Sequence, residues 1–214
     1  MHFLSQDLED YIENHSGNEP ELLKQLNKET YQKILLPRMC SGHFQGRVLS
    51  MISKLVNPKN ILEIGTFTGY ATICLLEGIQ KNGHLHTIDI KEELVDFQRK
   101  YYDLSGKGNQ ITQHLGEAID VIPTIDLKFD LVFIDADKEN YINYFNIVLP
   151  KMNVGGIILS DNVLWSGKVV EPLQENDLST KVLLEYNKIL SNHPNLETVL
   201  LPIRDGLTVS RVVF

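Results

Sequence analysis

Short apolar runs alternate with amphipathic stretches along most of the chain. Asn60–Ile64 (NILEI), His84–Ile90 (HLHTIDI), Ile111–Leu115, Phe129–Ile134 (FDLVFI) and Gly155–Leu159 (GGIIL) have the length and composition of buried strands. Between them, Tyr70–Gln80, Lys91–Leu104, Asn140–Leu149 and Lys181–Ser191 carry apolar residues at helical spacing. Leu196–Pro202 and Leu207–Val213 end the chain as two successive strands. The N-terminal third has no strand pattern; Asp7–Glu13, Glu21–Tyr31 and Phe44–Val56 read as helices. Pro20 before Glu21 is a helix opening, and Val48, Met51, Ile52, Leu55 and Val56 form an apolar stripe.

Strands alternating with helices predict an α/β fold with a mostly parallel sheet covered on both faces. The last two strands are joined only by Ile203–Gly206. So short a connection permits only an antiparallel pair. A parallel sheet that ends in an antiparallel hairpin points to a methyltransferase-type sheet rather than a dehydrogenase-type one.

The chain has 214 residues, 28 Asp and Glu against 20 Lys and Arg, and a formal net charge of −8. That balance argues against a large nucleic-acid surface. The length suits one domain, residues 1–214, with 1–57 as a helical segment before a core at 58–214. No apolar run approaches the ~18 residues of a membrane helix, and the acidic, polar-broken start is unlike a signal peptide. Cys40 and Cys74 lack metal-site spacing and read as free thiols, which makes a cytoplasmic location the expectation. His84 and His86 share one strand face and read as a surface face.

The turn after the first strand is Glu63-Ile-Gly65-Thr66-Phe-Thr-Gly69. Its glycines let a ligand approach the backbone at the next helix start. The G-x-G-x-x-G of dinucleotide oxidoreductases is missing. The carboxylate that opens the turn would repel a pyrophosphate and suits a cationic ligand such as S-adenosyl-L-methionine (SAM). Asp89 ends the second strand, where a carboxylate can accept both ribose hydroxyls. Asp135 follows FDLVFI, and Asp161-Asn162 follow GGIILS. If those strands are neighbours, two carboxylates and an amide make an all-oxygen site suited to Mg²⁺, Mn²⁺ or Ca²⁺ and unsuited to zinc. If they are only helix caps, the enzyme is metal-independent. A non-catalytic SAM-binding module would usually have lost these positions.

The stretches EIGTFTGY, TIDI, FDLVFIDADKENY, GGIILSDNVLWSGKV and LPIRDGLTVSR occur in order. Through them, over about residues 36 to 214, the chain resembles the cation-dependent O-methyltransferases of the caffeoyl-CoA type and their relative, catechol O-methyltransferase. The resemblance implies a Rossmann-like class I SAM-dependent methyltransferase sheet with added N-terminal helices. It implies methyl transfer from SAM to a hydroxyl of a vicinal-diol phenol, and a homodimer with the N-terminal helices near its interface. Asp135, Asp161 and Asn162 would hold the cation, Mg²⁺ foremost. Glu63, Gly65 and Thr66 would hold the amino-acid end of SAM, Asp89 the ribose, and Ala118 would lie by the adenine. Ser41 would cover the methionine end, and Asp135 and Asp137 would also face the cofactor. Lys138 would be the general base and Trp165 a wall of the acceptor pocket. Two positions depart from the family pattern: Ala71 stands where a cofactor-binding serine is common, and Ser166 where plant enzymes place a substrate-contacting asparagine. The acceptor stays open among catechols, caffeoyl thioesters and flavonoids. A CoA thioester would need a basic patch, for which Lys24, Lys28, Lys33 and Arg38 are candidates.

Overall fold

The computed structural model describes residues 4–214. Three helices, α1 (Gln6–Asn14), α2 (Glu21–Lys33) and α3 (Gly42–Val56), precede the sheet. Then follow β1 (Asn60–Ile64), α4 (Tyr70–Leu76), β2 (His84–Asp89), α5 (Val95–Leu104), β3 (Ile111–Leu115), α6 (Ala118–Thr124), β4 (Phe129–Ile134), α7 (Tyr141–Val148), β5 (Met152–Asp161), α8 (Leu178–Asn192), β6 (Leu196–Leu201) and β7 (Leu207–Val212). The seven strands form one sheet in the order β3-β2-β1-β4-β5-β7-β6. All pairs are parallel except those of β7, which runs antiparallel to both β5 and β6. The expected parallel sheet with a terminal hairpin is therefore present, and it is the methyltransferase arrangement.

Both faces are covered, as parallel strands require. On one face Leu26, Leu49, Leu75 and Tyr101 bring α2 to α5 together; on the other Ile122, Tyr141, Phe145 and Leu183 bring α6 to α8 together. Helix α1 buries no residue.

Some boundaries differ from the sequence pattern for local reasons. Helix α4 stops at Leu76 rather than Gln80. Gly78 passes so close to α3 that a Cβ there would lie 2.2 Å from the Ser53 carbonyl carbon. The segment at 91–104 opens with a 3-10 turn, Glu92–Leu94, before α5 begins. Strand β5 extends the GGIIL run in both directions. Helix α8 starts three residues early, where Asp177 Oδ1 accepts the Thr180 amide at 3.1 Å. Helix α6 carries Pro123, which hid it in the sequence.

The chain steps from β1 to β2 on one side, and β4 lies on the other. An open α/β sheet forms its ligand crevice beyond the strand ends at such a reversal. Register makes the placement specific. Ile64 pairs with both Ile88 and Ile134, and Ile134 pairs with Ser160. Gly65, Asp89, Asp135 and Asp161, each one residue further on, therefore emerge along one edge.

Candidate active site

A cleft of about 1330 Å³ lies over that edge. Of the site residues read from the sequence, all but Glu63 line it. One wall holds Gly65, Thr66 and Ala71, with Asp89 and Ala118 beyond them. The floor holds Asp135, Asp137 and Lys138. The far side holds Asp161, Asn162, Trp165 and Ser166, and Ser41 comes in ahead of α3.

The turn between β1 and α4 is held by backbone geometry. Gly65 has φ +91, and a Cβ there would sit 2.2 Å from the Asp135 carbonyl oxygen. Only glycine meets both conditions. Asp89 Oδ2 accepts the amides of Thr66 at 3.0 Å and Phe67 at 2.7 Å, and its Oδ1 accepts the Lys91 amide at 3.0 Å. This carboxylate thus braces the turn while lining the cleft. Thr68 Oγ1, on the same turn, is buried without a protein partner.

Glu63 is the one site residue read from the sequence that the cleft lining does not include. Its side chain is fully buried and stands outside the cleft lining. Strand alternation sends it under the floor, where its Oε2 accepts the hydroxyls of Thr72 at 2.5 Å and Thr87 at 2.6 Å. Burial pushes its carboxyl up to about 8, against the pull of those hydroxyls. Its other oxygen, Oε1, is buried with no hydrogen-bond partner.

Asp135 and Asp161 lie side by side because Ile134 and Ser160 pair. Burial first and the adjacent Asp161 carboxylate second push Asp135 upward, and Lys138 opposes the shift. Lys138 Nζ donates to the Tyr141 hydroxyl at 2.5 Å and lies 3.4 Å from Asp135 Oδ1. The Tyr141 hydroxyl donates toward the carbonyls of Asp161 at 2.8 Å and Ile134 at 3.2 Å, so it ties the two strand ends together. Asp137 accepts from the Tyr144 hydroxyl and the Asn140 amide. After Asp161 the backbone turns sharply, and Asn162, Trp165 and Ser166 all have φ between +49 and +57. Such a concentration of left-handed non-glycine residues marks a loop held for a purpose. The Ser166 amide donates to Asp205 Oδ1 at 2.5 Å.

Two residues of the site carried no signal in the sequence reading. Gln45 donates Nε2 to Asp161 Oδ2 at 2.6 Å. Arg204 donates Nη1 to Gln45 Oε1 at 2.9 Å and also to the carbonyls of Cys40 and Ser41. Arg204 sits inside the LPIRDGLTVSR stretch, but only the tertiary contact reveals its reach. His86, expected on a solvated strand face, is half-buried, with its Nδ1 3.0 Å from Nε2 of His114 on β3.

Residues 13–213 match the O-methyltransferase family. The chain belongs to the O-methyltransferase family. Among its relatives, caffeoyl-CoA O-methyltransferase 1 of Arabidopsis thaliana is 34% identical, over 97% of this chain and 85% of that one. Caffeoyl-CoA O-methyltransferase 5 of Nicotiana tabacum is 35% identical, over 90% and 85%. The O-methyltransferase TomG of Streptomyces achromogenes, solved in complex with SAM, superposes with a TM-score of 0.90 at 26% identity, covering 97% of this chain and 96% of that one. The O-methyltransferase of Bacillus cereus, solved with S-adenosylhomocysteine (SAH), gives a TM-score of 0.89 at 26% identity, covering 96% and 97%. Among the described residues of this family member, no three His, Cys, Asp or Glu side chains gather as metal ligands. At the paired ends of β4 and β5 the cleft offers the carboxylates of Asp135 and Asp161 and the Asn162 side-chain amide. No helix of the described residues is long and apolar enough to cross a membrane.

Proposed function

We propose that this O-methyltransferase moves the methyl group of SAM to one hydroxyl of a vicinal-diol phenol, catechol-like or caffeoyl-like, with a divalent cation chelating the diol. The observation that carries the reading is the emergence of Asp135, Asp161 and Asn162 from paired strand ends, across one cleft from the Gly65 turn. The donor set is all oxygen, which fits Mg²⁺, Mn²⁺ or Ca²⁺. The unpartnered Thr68 hydroxyl and the open backbone at Gly65 fit a ligand along the turn.

A phenol of pKa about 10 is roughly 4 kcal/mol short of ionisation at pH 7. Asp135, Asp161 and Asn162 would hold the divalent cation, whose charge would stabilise the phenolate. The chain's own residues do the rest. Asp89, with lone pairs left on Oδ1, takes the ribose hydroxyls. Thr66 and Gly65 set the amino-acid end, Ser41 covers it, and Asp135 and Asp137 face its ammonium group. Ala118 leaves room for the adenine. Lys138 accepts the phenolic proton at Nζ, and Trp165 and Ser166 close the acceptor side. Transfer needs no covalent enzyme intermediate, so the protein acts chiefly through proximity and orientation. Ala71 supplies no hydroxyl to the cofactor, and Thr68 on the same turn offers one instead.

In this reading residues 1–214 work as one cytoplasmic domain, with 1–57 as its helical cover. A homodimer through the N-terminal helices belongs to the same reading; the exposed Leu35 and Leu36 beyond α2 support it. The test is methyl transfer from labelled SAM to vicinal and isolated phenols, with Mg²⁺ and then with EDTA. The expected result is transfer to vicinal diols only, abolished by EDTA and restored by Mg²⁺. Transfer that ignores EDTA removes the cation, and Asp161-Asn162 revert to structural caps.

A further inference from the structure

The proposed diol reading leaves the rest of the acceptor undefined, and the charge of the cleft narrows it. Among the described residues, nine carboxylates line the cleft against four Lys and Arg side chains. Carboxylates still outnumber cations after a divalent ion offsets Asp135 and Asp161. Three of the four cations are engaged. Lys91 lies over the Phe67 ring at 5.5 Å, beside the Asp89 turn. Lys138 is buried against Tyr141 and Asp135. Arg204 holds Gln45 and two backbone carbonyls. That leaves Arg38, which lines the same cleft as Glu13 of α1 and Asp205.

The lysines that could have formed a patch for phosphates are elsewhere. Lys24 pairs with Glu21 at 3.8 Å and Lys33 with Glu29 at 3.7 Å, and neither they nor Lys28 line the cleft. A CoA thioester brings a diphosphate and a 3′-phosphate, about four negative charges at pH 7. Four cations among nine carboxylates cannot balance them, and like charges brought together are a barrier to binding.

We infer that the acceptor is a small uncharged or cationic vicinal diol, and that the acidic cleft excludes CoA thioesters and disfavours carboxylated diols. This rests on the diol reading above and goes beyond it: the plant relatives are named for caffeoyl-CoA, while this cleft selects against that class.

The test compares kcat/KM at low salt, with SAM and Mg²⁺ saturating, for catechol, 4-(2-aminoethyl)catechol, caffeate and caffeoyl-CoA. The aminoethyl compound is expected to equal or exceed catechol. Caffeate is expected to fall about tenfold below it and caffeoyl-CoA lower still, with the gaps narrowing as salt screens the cleft. Glu13→Lys is expected to raise the caffeate-to-aminoethylcatechol ratio by about threefold or more. Calorimetric titration with coenzyme A alone, which needs no turnover, is expected to show no binding up to about 1 mM. Caffeoyl-CoA as the best acceptor, or micromolar binding of coenzyme A, overturns the charge selection and leaves the diol reading standing. No transfer to any of the four, in protein that still binds SAH, overturns both.

Discussion

Gln45 and Asp161 are joined by a 2.6 Å hydrogen bond, although 116 residues separate them. Both side chains are buried, and Arg204 holds the other end of the Gln45 amide at 2.9 Å. The first turns of α3, the end of β5 and the final hairpin thus meet at one carboxylate. With Oδ2 taking the Gln45 side-chain amide and Oδ1 the Asn162 backbone N–H, the Asp161 carboxylate has a single orientation.

Gln45→Leu keeps similar bulk and removes that bond. Partners that orient a ligating carboxylate are typically worth about 10- to 100-fold in metal affinity or activity. The variant is expected to need more Mg²⁺ for half-maximal rate, by about tenfold, with little change in KM for SAM. A Mg²⁺ titration of initial rate checks this; an unchanged Mg²⁺ requirement removes Gln45 from the site.

Asp161→Ala is expected to abolish turnover while leaving SAM binding largely intact. It leaves the Gln45 amide without its buried acceptor, a loss of about 1–3 kcal/mol, so Asp161→Asn serves as the milder companion. Turnover and thermal stabilisation by SAH, measured on both variants, separate catalysis from folding. Wild-type turnover in either one would sink the cation site.

At Asp89 the structure adds a second task to the proposed ribose contact, because its Oδ2 also holds the Thr66 and Phe67 amides. Asp89→Ala is therefore expected to weaken SAM binding through two routes at once, by about 2 kcal/mol or more, and to lower the saturated rate less. Calorimetric affinity for SAH beside kcat at saturating SAM is the measurement. Affinity within a factor of about two of wild type contradicts the assignment.

Glu63 predicts a pH dependence of stability. Its folded pKa of about 8 lies above the ordinary carboxylate value of 4.5 because the buried charge is desolvated. The folded state therefore holds a proton that the unfolded chain gives up between about pH 4.5 and 8. The contribution is fully present below pH 4.5 and is lost as pH rises to 8. Glu63→Gln keeps the Thr72 and Thr87 bonds in an uncharged group. Urea unfolding of ligand-free protein at pH 5, 6.5 and 8 is expected to show the variant gaining on wild type as pH rises, by up to about 1.4 kcal/mol per unit. A constant difference across that range refutes the neutral Glu63.

The sequence by itself determined the class of the fold and the strand ends that line the cleft. Alternation of apolar runs and amphipathic helices is a local property, and it placed β1 to β4 and the final hairpin within a residue or so of their bounds. The short Ile203–Gly206 link dictated the antiparallel pair, because no crossover fits it. Asp89, Asp135, Asp161 and Asn162 were legible because each directly follows or ends an apolar run, and such ends face the crevice.

Tertiary structure alone decided which residues share the site across strands and helices. Ile134 opposite Ser160 sets Asp135 beside Asp161, and no local pattern encodes that pairing. Gln45 and Arg204 read as ordinary polar residues until the sheet closes and brings 45, 161 and 204 together. Glu63 shows the same dependence. Residues alternate sides along a strand, and the Thr72 and Thr87 hydroxyls hold Glu63 outside the cleft lining, which only the folded chain shows. The charge of the cleft belongs to the same group of facts. It is a sum over α1, the ends of β2 to β5 with the turns after them, and the final hairpin, and these segments become neighbours only in the folded chain.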